Sequence, residues 1–222
     1  MQAEKPGDHD HAGHSHDAGH HHGGEHHHAG DPSREQLLAA ALESLLVQKG
    51  LLSSDTIDRI VEMYENDIGP IIGARVVARA WSDPAYKQRL LSDSASALAE
   101  LDIHMDNLVV VENTPTVHNM VVCTLCSCYP WAVLGLPPTW YKDSAYRSRA
   151  VIEPRAVLRE FGVELDDAVG IKVWDSSAEQ RYLVLPERPA GTEGMSEEEL
   201  AALVSRDAMI GVATVAPPVR AR

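Results

Sequence analysis

Between Ser33 and Gly50 the apolar positions fall on one face of a helix: Leu37, Leu38, Ala41, Leu42, Leu45 and Leu46. Ser33 and Gln36 have the spacing of a capping box, and Gly50 supplies the stop. A second helix is predicted from about Ser53 to Asn66, with Ile57, Ile60, Val61 and Tyr64 on one side, and Gly69–Pro70 breaks it. A third runs to about Trp81. Asp83 and Pro84 then form the cap and first turn of a fourth, and "SDSASALAELD" adds another helical turn or two. Residues 31–103 therefore read as a helical arm, not compact by itself.

The period then changes. "LVVVE" (108–112) and "HNMVVC" (118–123) read as strands. Helix returns in "EPRAVLREFG", with Pro154 in the first turn and Gly162 at the end. "VGIKVWDSS" and "EQRYLVLPERP" read as a strand pair. Ser196 and Glu199 form a second capping-box pattern, opening a helix of about three turns through "SEEELAALVSRDAMIGVA". There is no internal repeat. The predicted class is α+β: an N-terminal helical arm followed by a layered α/β domain over 104–222, with the cysteines on a strand-to-helix loop.

Residues 1–30 form a different block. They hold ten of the twelve histidines among Gly, Asp and Glu, with no apolar period, and are expected to be disordered. Clustered imidazoles bind divalent transition ions, so this tail is either a weak metal-loading segment or a solvated tail with incidental metal affinity. The chain carries 19 basic and 33 acidic residues, a formal charge of −14. That balance argues against nucleic acid or an anionic membrane as partner. No apolar run approaches the roughly 18 residues of a membrane helix, and no secretory-signal pattern opens the chain. Three cysteines, unevenly placed, do not make a disulfide framework, so a cytoplasmic location is expected.

All three cysteines fall in "VVCTLCSCYP", residues 121–130. A thioredoxin-type Cys123–Cys126 pair would leave Cys128 unexplained. Structural zinc uses four side-chain ligands, usually as two separated pairs, and iron–sulfur cysteines are spaced differently. Bond counting suggests another arrangement. An ion held by the sulfurs of Cys126 and Cys128 and by the amide nitrogens of Ser127 and Cys128 closes only unstrained five- and six-membered chelate rings. Cys123 supplies a fifth donor, and the sixth position stays open. Deprotonated amides suit a small, highly charged transition ion, and an open site on it is a Lewis acid.

"VCTLCSCYPW", with "VLGLPPTWY", "EPRAVLREFG", "VWDSS", "LPERPAGTEG" and "RDAMIGVA", resembles the α subunit of nitrile hydratase over roughly residues 35–213. The resemblance implies a non-corrin Co(III) or non-haem Fe(III) in a claw of Cys123, Cys126, Ser127 and Cys128. Thr124 looks like the cobalt branch, with Fe(III) less favoured. It further implies Cys126 as sulfinate, Cys128 as sulfenate and Cys123 as thiolate. Oxidation sharpens the Lewis acid and sets an oxygen nucleophile beside the open position. The activity implied is hydration of R–CN to R–CONH2, with Cys128 catalytic either through its sulfenate or through a water that it activates. The partners implied are a β subunit that closes the pocket and an activator protein for cobalt insertion. The helical arm is a candidate to wrap the β subunit.

The γ subunit of thiocyanate hydrolase carries the same claw, but usually with Arg after "CYP". Here the residue is Trp131, which suits an organic nitrile and either lines the substrate pocket or fills the core. A non-catalytic metal carrier is the alternative from another class. Thr124 and Ser127 can orient the claw. Asp175 and Glu179, in "WDSSAE", are by resemblance proton carriers near the metal, or else a turn cap and a surface carboxylate. Arg147 and Arg149 read as subunit contacts. His104 and His118 read as packing or surface residues.

Overall fold

The computed structural model describes residues 34–63, 69–125 and 128–218. The histidine tail, the Ser33–Gln36 capping pattern, the end of the second helix, Cys126 and Ser127 lie outside them. The chain divides into two units, Met1–Leu51 and Leu52–Arg222. In the first, helix α1 (Arg34–Gln48) is closed by Gly50 at φ 67°, and Leu37, Leu38, Leu42 and Leu45 of its apolar stripe are exposed.

The second unit opens with α2 (Ser54–Glu62), whose cap Ser53 accepts from the Thr56 amide. It continues through α3 (Pro70–Ser82), α4 (Pro84–Ser92) and α5 (Ser94–Ala99). Asp83 caps α4 through the amides of Ala85 and Tyr86, and Asp93 caps α5 through Ser96. These are the short acidic caps that orphan helix N–H groups require.

Strands β1 (Leu108–Glu112) and β2 (Val117–Val122) follow, joined by a turn closed by a Thr114–Val117 bridge. After the cysteine loop come the short α6 (Trp131–Leu134), a 3-10 turn (Thr139–Lys142), α7 (Ser144–Ile152) and α8 (Pro154–Glu160). Then come β3 (Gly170–Asp175), β4 (Arg181–Leu185), α9 (Glu197–Ala201) and α10 (Arg206–Ile210).

This is the expected α+β class, with three differences. The last two strands do not pair with each other. β1 pairs with β4 and β2 with β3, both in parallel, and the two ladders pack together. A parallel partner needs a long crossover, and residues 123–169 provide it. Second, the compact unit starts at Leu52 rather than 104. Helices α4 and α5 pack on β1, and α3 packs on α6 and α9. Lys87 pairs with Glu112, the Ser94 hydroxyl donates to the Leu108 carbonyl, and Trp81 Nε1 donates to Pro186 O at 2.9 Å. Burial of Val76, Val77, Tyr86, Leu90 and Leu98 removes these helices from any free arm. Third, the predicted terminal helix is two short ones. Both bonds of the Ser196–Glu199 capping box form, but Ser205 starts a new N-cap on the Ala208 amide.

A buried polar stitch ties the ladders at mid-strand. Asn119 Nδ2 donates to Glu112 O (2.7 Å) and to Asn113 Oδ1 (3.0 Å), and Trp174 Nε1 donates to Asn119 Oδ1 at 2.8 Å. These bonds satisfy groups whose burial would otherwise be costly.

Candidate metal centre

The register of β2 and β3 places the site. Val122 faces Asp175, so the strands end together, and the next residue on the first is Cys123. Ligand sites gather beyond the carboxyl ends of parallel strands. Ser176 N continues the ladder by donating to Val122 O at 2.7 Å. Cys123 is fully buried and Cys128 partly so.

Three side chains grip the loop. Asp175 takes Thr124 with both carboxylate oxygens: the Thr124 amide donates to Oδ1 (2.9 Å) and its hydroxyl to Oδ2 (2.5 Å). Tyr146 Oη donates to Val121 O at 2.8 Å, fixing the entry to the loop. Tyr141 Oη donates to Cys128 O at 3.1 Å, fixing its exit. Both tyrosines belong to an aromatic cluster with Tyr129, Trp140 and Phe161, whose rings meet mostly edge to face, the two tyrosines themselves being tilted at 40°. The Tyr129–Tyr141 centroids are 5.0 Å apart, and those of Trp140 lie 4.8 Å from both Tyr146 and Phe161. Burial pushes the Tyr141 phenol well above its ordinary pKa, with Cys123, Cys128 and Asp175 adding to the rise. It therefore remains a donor.

Among the described residues no group of three or more His, Cys, Asp or Glu side chains gathers as a metal site; the loop offers two sulfur donors there, Cys123 and Cys128, of the kind that suit a transition ion. Cys123 and Cys128 both lie close enough to Tyr141 to influence its ionisation. The Ser176 hydroxyl is buried beside the same phenol and acts to lower its pKa, against the rise.

The other sequence candidates separate. Trp131 opens α6 with its side chain 54% exposed, so it is not a core residue. Leu125, in the loop itself, is 91% exposed. Glu179 sits in the exposed turn after β3, where the Ser177 hydroxyl donates to its Oε2 at 3.0 Å. Its carboxyl is held below its ordinary pKa by a backbone amide first and by Ser177 second. Arg149 is engaged within the chain by Glu153 and Glu160. His118 is buried and bonds Gly211 O through Nε2 at 2.7 Å, and His104 is exposed. Tyr141, Tyr146 and Ser176 were not singled out from sequence. The aromatic "TWY" after the double proline, the head of "YRSR" and the second half of "WDSS" were their traces.

The model of the nitrile hydratase α chain matches residues 33–213. The chain belongs to the nitrile hydratase α-subunit family. Among its relatives, the α subunit of the low-molecular-weight cobalt-containing nitrile hydratase of Rhodococcus rhodochrous is 58% identical over 194 residues, 85% of this chain and 94% of that one. The γ subunit of thiocyanate hydrolase from Thiobacillus thioparus is more distant, at 41% over 196 residues, 82% of this chain and 80% of the other. Among solved structures, a double histidine-to-alanine variant of the Fe-type nitrile hydratase of Comamonas testosteroni Ni1 aligns with a TM-score of 0.74 at 39% identity. That alignment covers 85% of this chain and 96% of the other.

Proposed function

We propose that this chain is the metal-bearing subunit of a cobalt nitrile hydratase, converting R–CN and water to R–CONH2 in complex with a β subunit. The observation that carries the reading is a C-T-L-C-S-C loop rooted at the shared carboxyl ends of two parallel strands. In it, Cys123, Cys126, Cys128 and the amides of Ser127 and Cys128 would hold the ion as Co(III), inserted by an activator protein. Bound there, the ion supplies Lewis acidity toward the nitrile nitrogen.

The chain's own residues do the rest. Asp175 holds Thr124 and so sets the loop between its first two sulfurs. With both carboxylate oxygens occupied, Asp175 serves as a positioning residue more readily than as a proton carrier. Cys128, oxidised to sulfenate, brings the nucleophilic oxygen or orders the water that supplies it, and Cys126 stands as sulfinate. Trp131 offers its exposed indole as an apolar wall for the organic part of the substrate. Glu179, held ionised in the exposed β3–β4 turn by its own amide and by Ser177, is a surface carboxylate more readily than a proton carrier. The β subunit covers the exposed Leu125 and Trp131. Among the described residues, no helix is long and apolar enough to cross a membrane, in keeping with the cytoplasmic location expected for a reduced Cys123.

The α/β complex, produced with cobalt, should form amide from an aliphatic or aromatic nitrile. The isolated chain should not. Thiocyanate hydrolysis without nitrile hydration would move the assignment to the thiocyanate hydrolase branch. Stoichiometric, readily chelated cobalt without turnover on either substrate would make the chain a metal carrier.

A further inference from the structure

Tyr141 is fully buried and lies thirteen residues beyond Cys128 in sequence, yet its hydroxyl reaches back to the Cys128 carbonyl. The 3-10 turn Thr139–Lys142, set by Pro138 in an extended conformation, delivers it there. Tyr129 and Trp140 then fix the ring, with centroids at 5.0 and 6.0 Å. A buried ring held by two aromatic neighbours can hold a peptide plane to a fraction of an ångström, the tolerance that catalytic sites require.

We propose that Tyr141 is a positioning residue whose bond to the Cys128 carbonyl sets the direction in which the Cys128 sulfur leaves the loop. Holding that carbonyl fixes the plane of the peptide that follows Cys128, and so restricts the rotation about Cα–C that swings its Cα–Cβ bond. The sulfur and amide nitrogen of the same residue are then presented together. The inference rests on the reading of Cys128 as a cobalt ligand.

Tyr146 provides the internal control. Its hydroxyl is as deeply placed in the same aromatic cluster but bonds Val121 O, on the strand before the claw. Tyr141→Phe and Tyr146→Phe therefore remove the same group from the same cluster, one from the carbonyl of Cys128 itself and the other from a carbonyl on β2.

The test uses the cobalt-loaded α/β complex of the wild type and of both variants. Three quantities are read: the rate of cobalt loss to excess chelator, the sulfur-to-metal absorption band, and kcat and KM for a nitrile. Tyr141→Phe should release cobalt about tenfold faster, displace the band and lower kcat about tenfold with KM within about twofold. Tyr146→Phe, which loosens the entry to the loop and not the Cys128 carbonyl, should lower the melting temperature and change the band and the release rate less than Tyr141→Phe does. An unchanged band and release rate in Tyr141→Phe, or equal effects in the two variants, would overturn the proposal. If the wild-type complex binds cobalt but hydrates no nitrile, the functional reading fails, while the band and release rate still decide the role of Tyr141.

Discussion

Asp175 offers two acceptors to two donors of one residue, and that pairing makes a chemical prediction. Both Thr124 groups donate, so an amide in place of the carboxylate accepts only one and turns its NH2 toward the other donor. Asp175→Asn should therefore cost about 10–100-fold in cobalt retention or kcat, the range seen when partners of metal ligands are removed. Cobalt content and steady-state assays of the purified complex check it, and wild-type values in both would show that the grip is dispensable. At this scale the sequence was most informative. The cysteine spacing alone predicted a claw, and "WDSS" marked Asp175. Its partner was hidden, because a contact across 51 residues is created only by the β2–β3 register. The same register explains why Ser176 and the two tyrosines went unremarked: each acts through a position that the fold defines.

Among the elements, the junction of β2 with α10 is the most exacting. Gly211 ends α10 at φ +90°, and a Cβ there would lie 2.0 Å from Asn119 O. Gly211→Ala combines a left-handed backbone with a clash against a buried strand. It should destabilise by more than about 2 kcal/mol, measured by denaturant unfolding. Gly73 lets α3 approach α6, where a Cβ would meet Val133 O at 2.6 Å.

His118 lies at the same β2–α10 junction. Burial first of all holds its pKa below the ordinary 6.5, against an opposing pull from its bond to Gly211 and from Glu187. A histidine depressed in the folded state binds protons more readily when unfolded. Its stabilising contribution is therefore complete above about pH 6.5 and is lost as the pH falls from there toward the folded value. Unfolding curves between pH 7.5 and 5 should show a loss of stability in the wild type that His118→Gln does not share; parallel curves would exclude this histidine as the cause. Helix and strand positions were largely legible from apolar period and caps. Pairing was not, since two adjacent strand-like segments invite a hairpin and nothing local specifies a parallel partner far away. α7 was missed because "SAYRSRAVI" carries charge through its middle and buries only Tyr146 and Ala150.

For the whole molecule, the difference between expected and observed boundaries has a physical basis. The helical run up to 103 looked uniform because caps and periods report elements, not what they pack against. Burial of Val76, Val77, Tyr86 and Leu98 assigns α3–α5 to the catalytic unit and leaves α1 in the first unit, with its leucines exposed. Leu38 and Leu42, at 58% and 57% exposure, give α1 an apolar face, and we propose that this face docks the β subunit. Leu42→Glu should weaken association with the β subunit by at least about tenfold, read by size exclusion or analytical ultracentrifugation, while leaving the melting of the isolated chain unchanged. Undiminished assembly would place the β interface elsewhere.

Mass spectrometry of the peptide spanning residues 121–142, cut from the cobalt-bound complex, tests the central claim most directly. A sulfinate on Cys126, a sulfenate on Cys128, an unmodified Cys123 and cobalt that resists chelation are the predicted result. Unoxidised cysteines with a freely exchanging ion, or a cystine within the loop, would contradict it.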